Sequence, residues 1–399
     1  MREKLFDDTC VDLKILRKRA VSQKSLRWGS IPEGYIPLTS ADPDFPPAPE
    51  VRRALIRHIE GAYFPYAPSD GIEGLCESLS RGMLERKGYS VPQGYIQPVD
   101  SASAAMQAAA HAVLQPGDEA IVFDPVDLLF GISVRHAGGK VVYYPSVYQD
   151  GHWKLDDLED YVTPRTRLLC LCNPHNPMGL LYSREELQHI AEVALRHGLY
   201  ILNDEIWSDI VYSEKPFVSI NSLGPEMNPR TVTVYGFSKG FAIPGLRAGY
   251  FCTLCPEPFE KVLEVCGAFA GVDILTQVAM KTCFDECFDW VDAFCRHLQG
   301  NRDYLHQRLS QMPFVDAHRQ EATFVSFIDI SSSGLSSQEM VDYLHEKYHV
   351  LLVPGTEYWF GPRAAGHVRL CYSTSRAILK EGLDRIERAL CDLQAGKKG

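Results

Sequence analysis

The sequence predicts an α/β protein: a mostly parallel sheet with helices on both faces, followed by a smaller α+β domain. Three observations predict it. Between about residue 98 and residue 252, short apolar runs alternate with stretches of helical periodicity, as in repeated strand and helix units. Runs such as Leu168-Leu-Cys-Leu-Cys172 are continuously apolar, as strands buried on both faces are. From about Gly267 the pattern changes to long helical runs, near 291–312 and 376–393, mixed with strands near 322–330, 349–353 and 367–372.

Composition narrows the function classes. The 399 residues suffice for a large core and two or three domains. A net charge of −11 argues against a nucleic-acid backbone or an anionic membrane as the main partner, because both need a basic patch. The N-terminal Met1-Arg-Glu-Lys-Leu-Phe-Asp-Asp8 lacks the apolar centre of a signal peptide, and no run reaches the ~18 apolar residues of a membrane span, so a cytoplasmic protein is expected. The twelve cysteines are expected as reduced thiols rather than zinc ligands: Cys170-x-Cys172 and Cys252-x-x-Cys255 lie in or beside apolar strands, with no paired Cys/His knuckle following.

Taken in order, residues 1–45 show few periodic signals, and Leu38 to Phe45 reads as an extended arm ended by Pro46-Pro47. A helix follows from Ala48 to Gly61, with Val51, Leu55, Ile56 and Ile59 on one side. A turn from Tyr66 to Leu75 enters a second helix carrying Leu75, Leu79 and Met83. Residues 97–114 read as a short strand and an Ala-rich helix that opens at Asp100-Ser101-Ala102-Ser103. Such a helix start offers free N–H groups and a positive dipole end to an anion, although a serine there can simply cap the helix.

The strand Glu119–Phe123 leads into Asp124-Pro-Val-Asp-Leu-Leu-Phe130, and further strands are expected at 138–145 and 167–172. The latter ends in Asn173-Pro-His-Asn-Pro-Met-Gly179, two Asn-Pro pairs where open α/β sheets place ligands. Ser183-Arg-Glu-Glu186 is a capping box for a helix to His197. The strand Leu199–Asn203 delivers Asp204-Glu-Ile-Trp207, an acid at a buried strand end that calls for a cation or for a capping role. Finally Thr231–Tyr235 and Ala248–Cys252 flank Gly236-Phe-Ser-Lys239-Gly240. A lysine in an apolar region is costly unless paired, discharged or covalently consumed, whereas a surface-loop lysine needs no explanation. Imine formation with an aldehyde cofactor would consume it.

The run Tyr235-Gly-Phe-Ser-Lys-Gly-Phe-Ala-Ile-Pro-Gly-Leu-Arg-Ala-Gly-Tyr250 resembles the internal-aldimine segment of the fold-type I, pyridoxal-phosphate-dependent aminotransferases of class I/II, and the resemblance covers nearly the whole chain. It implies their mostly parallel, seven-stranded type of sheet. It divides the chain into an N-terminal arm with part of the small domain (1–45), a large cofactor domain (46–280) and a C-terminal small domain (281–399). Lys239 is implied as the catalytic lysine, Asp204 as the partner of the pyridine nitrogen, Asn176 as the contact to the 3′-oxygen and Arg247 as the phosphate clamp. Backbone amides of Ala102 and Ser103, with Ser101 and Ser238, are implied around the phosphate, and Tyr66 as reaching the phosphate of the other subunit of a homodimer. Arg369 is implied to bind the substrate α-carboxylate, with Ala41 and Asn173 on the substrate side.

Four positions depart from the family pattern. Ala41 replaces a glycine, Gly236 a hydroxyl residue and Trp207 a tyrosine. Asp127 stands where an aromatic ring usually stacks on the pyridine, leaving Phe130 or another ring to stack there. His175, Trp28, Tyr358 and Trp359 are candidates for lining a side-chain pocket, or for packing. The resemblance implies an enzyme acting on an L-α-amino acid through a lysine aldimine and a quinonoid, foremost an aminotransferase. A C–S β-lyase like cystathionine β-lyase is the alternative, suggested by Asp204-Glu-Ile-Trp-Ser-Asp-Ile-Val211. A specialised biosynthetic enzyme performing elimination, replacement or oxidation is a third reading, and a regulator that binds the cofactor without turnover a fourth.

Overall fold

Seven strands form the principal sheet: β1 (Ile96–Val99), β2 (Glu119–Asp124), β3 (Lys140–Pro145), β4 (Thr166–Cys172), β5 (Tyr200–Asp204), β6 (Thr231–Gly236) and β7 (Gly249–Cys252). Their order is β1-β7-β6-β5-β4-β2-β3. Only β7 runs against its neighbours; the other pairs are parallel. The structure is a computed structural model that describes residues 2–212, 214–266 and 271–398.

The alternation of side chains explains why these strands are apolar on both faces. Val122, Leu168, Cys170, Leu202, Val232, Val234 and Phe251 form one buried cluster with residues of the helices Ala102–Val113, Leu128–His136 and Pro256–Cys266. The intervening residues Ile121, Phe123, Leu169, Leu171 and Ile201 are equally buried. Helix starts follow local chemistry. Ser101 caps Ala102–Val113 by accepting from the Ala104 N–H at 3.2 Å, and Ser183 with Glu186 forms the reciprocal capping box of Arg184–His197.

The chain separates into two compact units, one of residues 47–175 and 181–291 that holds the principal sheet, the other of residues 1–46, 176–180 and 292–399. The later division falls inside the helix Phe288–Leu309, whereas the sequence reading put it near 280; a continuous helical run carries no composition break to mark the change. The second unit has its own antiparallel sheet of β8 (Asp316–Ala317), β9 (Val325–Asp329), β10 (Val353–Pro354) and β11 (His367–Cys371), in the order β8-β9-β11-β10. Ile36-Pro37 pairs in parallel with Val350-Leu351, so the N-terminal arm is stitched into this unit. The N-terminal region is more regular than its sequence suggested, because Leu13–Gln23 is a helix with a mainly polar, weakly patterned surface. Among the described residues, no helix is long and apolar enough to cross a membrane.

Candidate active site

The registers bring six segments of the larger unit to one edge of its sheet. Val99 and Gly236 both pair with Gly249, so the end of β1, the end of β6 and the start of the antiparallel β7 coincide. Asp204 pairs with Cys172 and Val234, which aligns the ends of β4 and β5 with them. Ser101, Asp127, Asn173, Asp204, Lys239 and Arg247 thus leave neighbouring strand ends, where open α/β sheets bind ligands.

Lys239 lies in the single-turn helix Phe237–Gly240 directly after β6, half-buried like Ser238, with its Nζ 5.4 Å from the centroid of the Trp207 ring. Trp207 is buried. This face of the indole therefore serves as a π-platform for the amine. Beneath the turn, the Tyr235 hydroxyl donates to Asp209, and a Cβ on Gly240 would lie 3.0 Å from the Asp209 Cβ. The lysine turn is pressed against a buried carboxylate.

Asp204 is buried and accepts the Ile206 N–H at 2.9 Å. Burial is the main cause that pushes its carboxyl up to about 7; the Asp127 and Glu205 carboxylates add to the rise, against the Ile206 bond and Lys239. Such a group is well matched to a cationic ring nitrogen, which would restore its charge. Asp127 caps Leu128–His136 by accepting from the Leu129 N–H at 3.1 Å. Phe130 does not supply a stacking ring: it is fully buried in the core cluster beneath that helix, three residues past the cap and turned inward by the helix.

Around the helix start, Ser101 donates to Asp100 at 2.7 Å and Ser103 donates to Ser101 at 3.1 Å, while Ala102 is buried at the first helical position. Arg247 is exposed and closes the turn Pro244–Leu246 with φ +55°, a conformation uncommon outside glycine. It stands two residues before the start of β7. Asn173 is buried and donates to the Val218 carbonyl at 2.9 Å, and its Oδ1 has no partner among the described residues. Tyr66 stands wholly exposed on its loop, 104% relative accessibility, in a stretch that also exposes Tyr63 and Phe64.

Asn176, Arg369 and Ala41 belong to the second unit. Arg369, in β11, is buried; it donates to the Asn176 Oδ1 at 3.4 Å and to the Thr39 carbonyl at 3.3 Å, and its guanidinium lies 5.1 Å from the Phe360 ring centroid. Ala41 follows two residues later on the same arm, half-buried. Of the candidates for a side-chain pocket, His175 is fully buried against Trp153, its ring centroid 4.9 Å away, and burial pushes its imidazole down to about 3. It is a packing residue. Trp28 is also buried, its indole N–H donating to Asp44 at 2.8 Å, whereas Tyr358 and Trp359 are exposed.

Two polar groups escaped the sequence reading. Glu205, buried beside Asp204, meets Lys87 at 3.5 Å and accepts from Asn203 at 2.9 Å and Ser219 at 2.5 Å. Arg27, nearly inaccessible, bonds along the arm. Neither shows in a local pattern, because Lys87, the charge that meets Glu205, and Ser373, one of the acceptors of Arg27, lie far away in sequence.

The donor set fits pyridoxal phosphate: a lysine amine at a strand end, a buried carboxyl lacking a full counter-charge, a helix N-terminus with serines, and an arginine nearby. The cradle is tight as well. A Cβ on Gly249 would stand 2.8 Å from the Tyr235 carbonyl oxygen and 2.9 Å from the Ala102 nitrogen, so only glycine lets β7 approach the helix start this closely.

Comparison with known proteins agrees. Residues 33–386 match the family described as aminotransferase class I and II. The chain is 33% identical to the putative aminotransferase YugH of Bacillus subtilis, over 90% of this chain and 92% of that protein. It is 29% identical to the cystathionine beta-lyase PatB of the same organism, over 94% and 98%. The crystal structure of an aromatic aminotransferase from Pyrococcus horikoshii superposes with a TM-score of 0.85 at 26% identity, covering 91% of this chain and 97% of that one. The chain belongs to the class I and II aminotransferases, a family of pyridoxal-phosphate-dependent enzymes.

Proposed function

We propose that the protein is an aminotransferase that moves the amino group of an L-α-amino acid to a keto acid. The observation that carries this reading is the convergence of Lys239, Asp204, Arg247 and the Ser101–Ser103 helix start on one sheet edge. When bound, pyridoxal phosphate supplies a carbonyl that condenses with amines and a ring that draws electrons from the substrate Cα.

Lys239 would hold the cofactor, and its Nζ would take the proton from the substrate Cα and return one. Asp204 keeps the ring nitrogen protonated, and gains its own charge in doing so. The amides of Ala102 and Ser103, the hydroxyls of Ser101, Ser103 and Ser238, and Arg247 hold the phosphate. Asn176 contacts the 3′-oxygen, and the Trp207 N–H can only donate, not exchange a proton as a tyrosine could. Arg369 binds the substrate α-carboxylate, with Asn173 and Ala41 on the substrate side.

The active protein is a homodimer in this reading. The exposed Tyr63, Phe64 and Tyr66 support it, as a surface suited to a second copy that accepts Tyr66 at its phosphate. A cytoplasmic location is supported by twelve free cysteines.

The likeness to cystathionine beta-lyase PatB favours a second reading, C–S β-elimination at the same residues. Adding amino acids one at a time to the cofactor-loaded protein, without a keto acid, separates the two. Stoichiometric bleaching of the visible band, reversed by a keto acid, is the expected result. A persisting band with pyruvate and ammonia accumulating moves the assignment to the lyase; no band at all sinks both.

A further inference from the structure

The segment Pro37–Asp44 places one of its carbonyls, that of Thr39, on the Arg369 guanidinium at 3.3 Å. Its ends are tied by backbone bonds: Leu38 donates to Leu351 and accepts from Cys371, both at 2.9 Å, and Asp44 donates to Ser373 at 3.2 Å. Between them the arm is held by a side chain. Arg27 Nε donates to the Pro37 carbonyl at 3.0 Å, and its Nη1 donates to the Asp42 carbonyl at 2.8 Å and the Ser373 carbonyl at 3.4 Å. The same Nη1 lies 3.6 Å from Asp44 Oδ1, which also accepts the Trp28 indole N–H at 2.8 Å.

Arg27 is 1% exposed and Asp44 8%. A guanidinium so far from water depends on the acceptors it has, and two of them, the Pro37 and Asp42 carbonyls, belong to the arm. The guanidinium fork sets the spacing between Pro37 and Asp42, the two residues that bracket Thr39 and Ala41. A lysine, a point charge on a flexible stem, cannot span both carbonyls in the same way.

We propose that Arg27, with Asp44 and Trp28, is a positioning residue for substrate binding: it holds the arm in the shape that presents the Thr39 carbonyl to Arg369 and so aims that guanidinium at the substrate α-carboxylate. The inference rests on the reading of Arg369 as the carboxylate-binding residue. It assigns Arg27 no contact with substrate or cofactor.

The test compares Arg27→Met, Arg27→Lys, Trp28→Phe and Arg369→Ala in the cofactor-loaded protein. Single-turnover reaction with an amino acid that bleaches the wild-type band separates apparent substrate affinity from maximal rate; amide exchange reads the arm directly. Arg27→Met is expected to weaken substrate binding about tenfold or more, with cofactor affinity changed less than about threefold, because the buried charged hydrogen-bond set that is lost includes none of the residues assigned to the phosphate. Amides of residues 38–44 exchange faster in it, and Arg27→Lys recovers part of both effects. Trp28→Phe removes one bond to Asp44 and gives a smaller, parallel change, so it decides the question should Arg27→Met fail to fold. Faster exchange with unchanged substrate affinity overturns the proposal, as does an equal loss of substrate affinity, cofactor affinity and maximal rate. If Arg369→Ala leaves substrate affinity unchanged, the reading of Arg369 itself fails; if only the Arg27 and Trp28 variants are silent, the positioning role alone falls.

Discussion

A Cβ placed on Gly249 would stand 2.9 Å from the Ala102 nitrogen, so the first residue of β7 rests directly against the start of the helix Ala102–Val113. Backbone cannot yield there as a flexible side-chain tip could. Gly249→Ala should push the helix start outward, at a cost of about 1–3 kcal/mol in stability. Cofactor titration, followed by absorbance, should show affinity lowered at least about tenfold, since the amides no longer converge. Unchanged affinity would remove this contact from the account of the phosphate site.

The buried Asp204 makes the cofactor-free protein pH-sensitive. Its folded pKa of about 7 lies above the ordinary carboxylate value of 3.8. The folded state therefore binds the proton more tightly, and the protein loses stability as pH rises from about 4 to 7. The full loss is roughly 4 kcal/mol, at ~1.4 kcal/mol per pKa unit. Urea unfolding of the cofactor-free protein at pH 5 and pH 8 should show roughly 3 kcal/mol of this fall in the wild type and a smaller one in Asp204→Asn, which stays neutral. Equal falls in both proteins would assign the effect elsewhere.

Of the carboxylates that raise Asp204, Asp127 acts most strongly. Asp127→Asn keeps a side-chain oxygen to accept the Leu129 N–H but removes the charge. The stability loss should then be smaller and end at a lower pH than in the wild type, with the helix Leu128–His136 intact by circular dichroism.

Lys239→Ala should abolish covalent retention of the cofactor after borohydride reduction and lower turnover by roughly 10²–10⁴-fold, the usual worth of a positioned proton-transfer group. Mass spectrometry of the reduced wild type should place the cofactor on Lys239. Its appearance on another lysine would overturn the catalytic assignment.

Tyr66 allows a test of shared sites. Lys239→Ala and Tyr66→Phe chains are each expected to be impaired alone. Mixed under conditions that exchange subunits, they should regain activity if Tyr66 serves the partner's phosphate, because one hybrid site then contains both wild-type residues. No recovery in demonstrated hybrids would confine Tyr66 to its own chain.

Much of the architecture is determined by local sequence. Continuous apolar runs such as Leu168–Cys172 mark strands covered on both faces, and the Ser183–Glu186 box marks a helix start from four residues. The order of chemistry-bearing residues along the chain was legible for the same reason: strand ends and turns announce themselves locally. Tertiary structure decided what those residues meet. Asp127 reads as a missing ring in sequence, but in space it is a helix cap whose charge acts on Asp204. Phe130 and His175 read as site candidates, yet lie in the core because helix phase and neighbouring rings turn them inward. Arg27, in an unpatterned stretch, became a buried clamp only once Pro37, Asp42 and Ser373 were brought around it. Burial and long-range hydrogen bonding depend on which distant segments converge, and no local spacing encodes that.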